Sequence, residues 1–232
     1  MSKRGKLYKD NKSTIEEKSY LVSEAYEKIK GFKSPKFTES VDISVRLNVD
    51  PKYPDQMVRG TIVLPHGTGK TKSVLVIASG EKLKEAEEAG ADFCGGEEMA
   101  EKIQKENWSE FDVLVATPDM MKEIGKLGKV LGPKGLMPSP KAGTVTSNVK
   151  EAVAAIKKGR IEYKVDKAGV INTSLGRMSF DPSQLSENTT ALMTAIMKSR
   201  PASLKGKFVE SIFVSSTMSP SVKLDIHQFE NN

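Results

Sequence analysis

The 232-residue sequence predicts an α/β and α+β fold in two parts. An antiparallel α+β domain is built from both chain ends, residues 1–67 and 159–232. A small parallel α/β domain, residues 68–158, is inserted between them. Three observations predict this. Strand patterns near the ends alternate apolar and polar residues, as in sheets with one wet face, whereas those in the middle are short continuous apolar runs, as in parallel strands covered on both faces. The charge divides at the same places: 68–158 is neutral, and the whole formal net charge of +6 lies on the two ends. Glycines stand at both crossings, in Pro65-His66-Gly67 and Lys158-Gly159, where they would permit a hinge.

The elements follow in order. Thr14 and Glu17 form a capping box, predicting a helix that Gly31 stops, with Ile15, Leu21, Val22, Ala25 and Ile29 as its apolar stripe. Val41–Val49 alternates strictly and reads as a strand. In the middle, Val74–Ala78 and Val113–Ala116 are buried strands, separated and followed by helical stretches at Glu81–Ala89, Glu97–Glu106 and Asp119–Gly125. Leu127–Val145 holds four Gly, three Pro and three Lys and no acid, and is expected to be a rigid cationic turn system, neither helix nor central strand. After the insertion come a strand at Arg160–Val165, a helix from Asp181-Pro182 with Gln184 completing a capping box, and strands at Lys207–Ser215 and around Val222, Leu224 and Ile226. The Arg200-Pro201 step ends that helix, whose Leu185, Leu192 and Ile196 share one face.

Composition excludes several function classes. The longest apolar runs are too short to cross a membrane, and the basic N-terminus has no following apolar core, so no secretory signal is read. The single cysteine, Cys94, forms no internal disulfide and fits a reducing cytoplasm; with two distant histidines, His66 and His227, it cannot complete a tetrahedral metal shell. His66–Thr71 invites a phosphate-loop reading, but G-x-x-x-x-G-K-[ST] needs glycine at position 64, where Leu64 stands, and an apolar strand follows where a helix is required. No nucleophile–base spacing accompanies either histidine. Neither an enzyme nor a bound cofactor is therefore expected.

Two end-domain segments suit binding. Ser34–Ser40 carries a stiffening Pro35, a cationic Lys36, an apolar or stacking Phe37 and the Ser40 hydroxyl. Val214–Ser221 is rich in hydroxyls around Met218 and lies between two strands. Short hydroxyls and free backbone groups suit ribose 2′-OH recognition across the shallow RNA minor groove, whereas lysine-driven DNA binding would call for a denser cationic face. The alternative for both is a polar turn beside a core phenylalanine. Within the insertion, residues 124–158 hold seven Lys against one acid, so Lys126, Lys129, Lys134 and Lys141, with Lys150, Lys157 and Lys158, make a secondary basic patch.

Motifs along the whole chain resemble the L-one family of bacterial large-subunit ribosomal proteins. They include Lys36-Phe37 with Glu39-Ser40-Val41, Asp55–Thr61, Leu64–Lys70, Gly80–Ala86, Ala89–Asp92, Gly95–Glu98 and Ala116–Asp119. Leu127–Val145 is similar to the family signature, and Ser216-Thr217-Met218 to its C-terminal RNA-binding turn. The resemblance implies a discontinuous split β-α-β domain with an inserted Rossmann-like three-layer domain, free of cofactor and monomeric off the ribosome. It implies binding to the 23S rRNA stalk helices within the 50S subunit, contact with exit-site tRNA and help in its release, and repression of the protein's own operon through its mRNA. By motif position it makes Lys36, Phe37, Ser40, Ser215, Ser216, Thr217, Met218 and Ser219 the RNA contacts, with Lys164, Asp166 and Lys167 as further candidates. Two positions depart from the common pattern: Ser219 replaces a glycine that would serve positive φ or close approach, and Ser40 replaces a threonine.

Overall fold

In the computed structural model, residues 5–202, 204 and 206–230 are described. The elements in chain order are α1 (Lys6–Ser13), α2 (Val22–Lys30), β1 (Ser40–Leu47), β2 (Arg59–Val63), β3 (Val74–Ile77), α3 (Glu81–Glu88), β4 (Phe93–Gly95), α4 (Glu97–Glu106) and β5 (Val113–Ala116). Then come α5 (Met121–Lys126), α6 (Gly128–Lys134), α7 (Val149–Lys157), β6 (Arg160–Lys164), β7 (Val170–Arg177), α8 (Pro182–Lys198), β8 (Val209–Ser216), β9 (Val222–Leu224) and α9 (His227–Glu230). They divide into two compact units, residues 1–70 with 161–232, and residues 71–160.

The first unit is organised by β1. It pairs antiparallel with β7 on one side and β8 on the other, in the order β7-β1-β8-β9. Its period-2 sequence does what the pattern predicts: Val41, Ile43, Val45 and Leu47 are buried, while Asp42, Ser44 and Arg46 face outward. The buried row meets Ala25, Tyr26 and Ile29 of α2 and Leu185, Leu192 and Ile196 of α8 in one core. Each such aliphatic contributes about 1.5–3 kcal/mol on burial. The α8 capping box is present, with the Gln184 side chain accepting from Asp181 N at 3.0 Å. β2 and β6 form a separate two-stranded sheet.

The second unit is a parallel sheet in the order β4-β3-β5. Successive residues of β3 face opposite layers. Leu75 and Ile77 join the α4, α5 and α6 side, and Val74 and Val76 join the α3 and α7 side. This is the three-layer arrangement that continuous apolar strands require.

Two local expectations are corrected. The Thr14–Glu17 pair does not open a helix. Tyr20 is bridged to Leu224, its N–H donating to Lys223 O and its carbonyl accepting from Asp225 N, so the chain before Val22 is extended. Thr14 instead ends α1, its hydroxyl donating back to Asn11 O at 2.8 Å, and α2 begins only at Val22. Nor is 127–145 wholly turn. It contains α6 and a 3-10 turn at Pro140–Ala142. Leu127 and Leu131 are buried, and that burial overrides the glycine and proline content. Gly135, at φ 72°, ends α6, with Gly135 N donating to Gly132 O and Leu136 N to Leu131 O.

Tyr26 is wholly buried between α2 and α8. Thr189 already donates its hydroxyl proton to Leu185 O, so Tyr26 is the donor in its 2.5 Å contact with Thr189 Oγ1. Burial pushes the Tyr26 pKa well above that of an exposed phenol. Below about pH 10 both folded and unfolded chains keep this proton; above it only the unfolded chain ionises, so stability falls with rising pH. Urea unfolding of Tyr26→Phe should show a loss of about 1–3 kcal/mol at neutral pH, from the lost bond and the Thr189 oxygen left without its donor. The variant should also show a shallower decline between pH 10 and 12 than the parent. An equally steep decline would assign the alkaline sensitivity to other groups.

Candidate nucleic-acid interface

The two segments singled out in the sequence meet at one end of the four-stranded sheet. β1 starts at Ser40 and β8 ends at Ser216, with Val41 opposite Ser216 and Asp42 opposite Ser215. Thr217 then closes against Ser40: Thr217 N donates to Ser40 O at 3.2 Å, and Ser40 N donates to Thr217 Oγ1 at 3.2 Å. α1 anchors the other segment upstream. The Asn11 amide donates to Lys33 O and accepts from Lys33 N, both at 3.0 Å, fixing the chain where it leaves α2.

Glu39, within the Glu39-Ser40-Val41 motif, carries no local signal of its role. Only 3% exposed, it reaches across to the turn. Ser216 Oγ donates to its Oε2 at 3.1 Å, and Met218 N donates to its Oε1 at 2.7 Å. Its own carbonyl accepts from Met178 N, just beyond β7, at 2.9 Å. Three stretches of chain thus converge on one glutamate. Arg177, the β7 partner of Ser40, is a second residue with no local signal in the sequence; its Nε is buried and has no partner among the described residues.

Around this brace, Phe37 and Met218 are exposed to 54% and 52%, apolar side chains held outward at the same sheet end. Lys36 is exposed beside Phe37. The serines behave differently from the expectation that their hydroxyls face a ligand. Ser216 sits on the inner face of β8, so it is buried and its hydroxyl is committed to Glu39. Ser219 Oγ accepts from Ser216 N at 3.0 Å and so closes the turn on itself. Ser219 has no positive φ, so glycine is not conformationally required there. Ser215 lies on the outer face, half-buried opposite Asp42.

Lys164, Asp166 and Lys167 are exposed but are not brought to this end. Lys164 ends β6, and Asp166 and Lys167 lie in the β6–β7 turn, which packs at the far end of β1, where Leu47 N donates to Gly169 O. Eight residues of strand separate the two places, roughly 24 Å. Asp166 is occupied locally, its Oδ1 accepting from Ala168 N at 2.8 Å and Val170 N at 2.9 Å.

The basic patch of the insertion is also divided. Lys126 and Lys134 reach Glu123 and Ser109 Oγ, each at 2.6 Å, while Lys129 and Lys141 are exposed. These lie on or after α5 and α6, whereas Lys150 and Lys157 are on α7, across the sheet. The glycine-rich turn at 66–71 is pinned to α8: His66 N donates to Asn188 Oδ1 at 3.1 Å, and the Asn188 amide donates to Gly67 O at 3.0 Å. Among the described residues no group of His, Cys, Asp and Glu is placed to hold a metal ion, and no helix is long and apolar enough to cross a membrane.

This geometry separates the exposed side chains from those that hold the fold. Phe37→Ala and Met218→Ala should each shift urea unfolding by less than about 0.5 kcal/mol, because neither side chain fills the core. Ser216→Ala should cost about 1–3 kcal/mol, because it leaves a buried Glu39 oxygen without its donor. The reverse ranking would place the brace elsewhere.

Comparison with known proteins agrees on one lineage. Residues 27–220 match the model of the Ribosomal protein L1p/L10e family. The chain is 53% identical over 227 residues to "Large ribosomal subunit protein uL1" of Solibacter usitatus (strain Ellin6076), covering 98% of this chain and 96% of that protein. It is 54% identical over 230 residues to the protein of the same name from Persephonella marina (strain DSM 14350 / EX-H1), covering 97% and 95%. With a full-length match at this identity and the family model spanning most of the sequence, the chain belongs to the Ribosomal protein L1p/L10e family.

Proposed function

We propose that this chain is a structural protein of the large ribosomal subunit that grips the 23S rRNA stalk helices with the joined ends of β1 and β8. In this reading it also assists release of deacylated tRNA from the exit site and represses its own operon by binding an element of its mRNA. The observation that carries it is the braced pairing of Ser34–Ser40 with Ser215–Ser219. Two segments remote in sequence are locked together, and together they hold Phe37, Met218 and Lys36 outward. An apolar pair stacks on or packs against bases and riboses, and the lysine neutralises a phosphate. Membership of a ribosomal family and the two large-subunit relatives support the assignment to the subunit, and the function is structural, not enzymatic.

One rigid surface serves rRNA and mRNA alike if the two present the same shape, so autogenous repression needs no second site. For tRNA, the support is the exposed Lys129 and Lys141 of the insertion, which offer point charges to a passing phosphate backbone. Lys164 and Lys167, at the far end of β1, would supply a second backbone contact along the same RNA.

Titration of a stalk-rRNA fragment with Phe37→Ala and Met218→Ala tests the grip. Each should weaken binding by about ten-fold or more, the range of one to three kcal/mol that a good direct contact supplies, with the melting profile unchanged. Unaltered affinity in both variants would move the interface away from this end of the sheet. An unrelated stem as competitor at two salt concentrations separates this reading from general cationic binding. A surface of this kind should keep its preference as salt rises, whereas a charge-driven binder loses it.

A further inference from the structure

We propose that the turn at 68–70, with Arg177 of β7, is a binding site for a phosphate group on a small molecule, either free phosphate or a mononucleotide. The site lies wholly in the first unit and does not depend on the RNA-binding reading above. The fold holds the turn in place. The Asn188 amide donates to Gly67 O at 3.0 Å and to Leu175 O at 2.8 Å, so α8 ties the turn to β7. Gly69 then packs against the end of that strand: a Cβ there would lie 3.0 Å from the Phe180 ring and 3.4 Å from Arg177 Cγ.

The polar groups gathered here are uncommitted. The N–H groups of Thr68, Gly69 and Lys70 donate to no described residue. Thr68 is 6% exposed, and its hydroxyl is buried without a partner. Arg177 Nε is buried without a partner too, and no ion pair joins its guanidinium to a described acid. Glu187 on α8 is held by His66 at 2.6 Å, and Asp181 lies 3.9 Å from Lys30. Buried polar groups are satisfied in the great majority of cases, so orphans on adjoining segments call for a partner. Every one of these groups donates, so that partner accepts. Thr68 also stands between two left-handed glycines, Gly67 at φ 64° and Gly69 at φ 67°. Such a turn directs successive N–H groups into an anion-holding concavity.

Charge and shape select the anion. Arg177 and the exposed Lys70 match a phosphate monoester, which carries about −1.5 to −2 at neutral pH. The guanidinium fork suits phosphate oxygens. A phosphodiester inside a chain has a single charge and a sugar on each side, which keeps its oxygens from the recessed Thr68 hydroxyl and Arg177 Nε. The strand β3, and not a helix, follows the turn, so the phosphate-loop chemistry excluded from the sequence stays excluded and the site only binds.

Equilibrium dialysis of the full-length protein tests this, with labelled phosphate, AMP and an oligonucleotide lacking terminal phosphates. Phosphate or AMP should saturate one site per chain, and the tighter of the two identifies the source. Arg177→Gln should weaken that binding by about ten-fold or more, the loss expected of a charge-assisted contact. Thr68→Val, of nearly the same shape, should weaken it by about five-fold or more. Its thermal midpoint should hold or rise, because the hydroxyl has no partner in the fold to lose; a threonine with a structural role alone would give the opposite pairing. A Thr68→Val protein, or a folded Arg177→Gln protein, that binds as the parent does overturns the site. Binding of the oligonucleotide alone would assign these donors to a polymer backbone and overturn the small-molecule ligand. A parent that binds neither phosphate nor AMP overturns the proposal outright.

Discussion

The first unit depends on β1 being hydrogen-bonded along both edges. Its partners, β7 and β8, both come from the chain after the insertion. Neither chain end can therefore bury its apolar face alone. The row Val41, Ile43, Val45 and Leu47 is contributed by the first end, and α8 and β8, which complete that core, by the second. The same pairing brings Ser40 and Ser216 to one sheet end. The candidate interface is thus a by-product of the register that seals the core: a slip of one residue would turn the apolar row outward and carry the turn away from its brace.

Much of this is legible in the sequence where a residue's role is local. Strict alternation exposes β1, continuous apolar runs expose β3 and β5, and Asp181 with Gln184 marks the start of α8. Roles set by distant partners are not legible. The strand bridge at Tyr20 removes a helical start that Thr14 and Glu17 advertise. β7 is hidden by its polar stretch Asn172-Thr173-Ser174, since only Ile171, Leu175 and Gly176 of it are buried. Gly176 is needed there because a Cβ would lie 2.9 Å from the Phe180 ring and 3.1 Å from Leu185. α6 is hidden by its glycines and proline. Exposed Phe37 and Met218 could be read as candidates from residue type, but Glu39 could not, because the serine it holds is 177 residues away.

The polar chemistry of the site also differs from what composition implies. A cluster of four serines and a threonine reads as a set of outward hydroxyls, yet the buried Ser216 and the inward-bonded Ser219 serve the turn's own architecture. A run of lysines reads as one basic patch, yet α6 and α7 lie on opposite faces of the β4-β3-β5 sheet. In both cases counting residues in sequence merges groups that strand and helix geometry pulls apart. The candidate surface is instead assembled from a few residues that no composition statistic would select.

The double-edged pairing of β1 also has a consequence for how the chain is made. Synthesis runs from the N-terminus, so β1 emerges long before β7 and β8 exist. Until then it is a strand with two open edges and an uncovered apolar face, the state most exposed to mispairing. The parallel sheet of residues 71–160 has all its partners within one contiguous stretch and pays a smaller loop-closure cost. The order of folding should therefore invert the order of translation, with the middle of the chain becoming protected while its beginning waits. Pulsed hydrogen exchange that found 41–47 protected before 74–77 would refute that order. The nascent protein's vulnerable interval is the time needed to add residues 48–216, whatever the final stability of the native sheet.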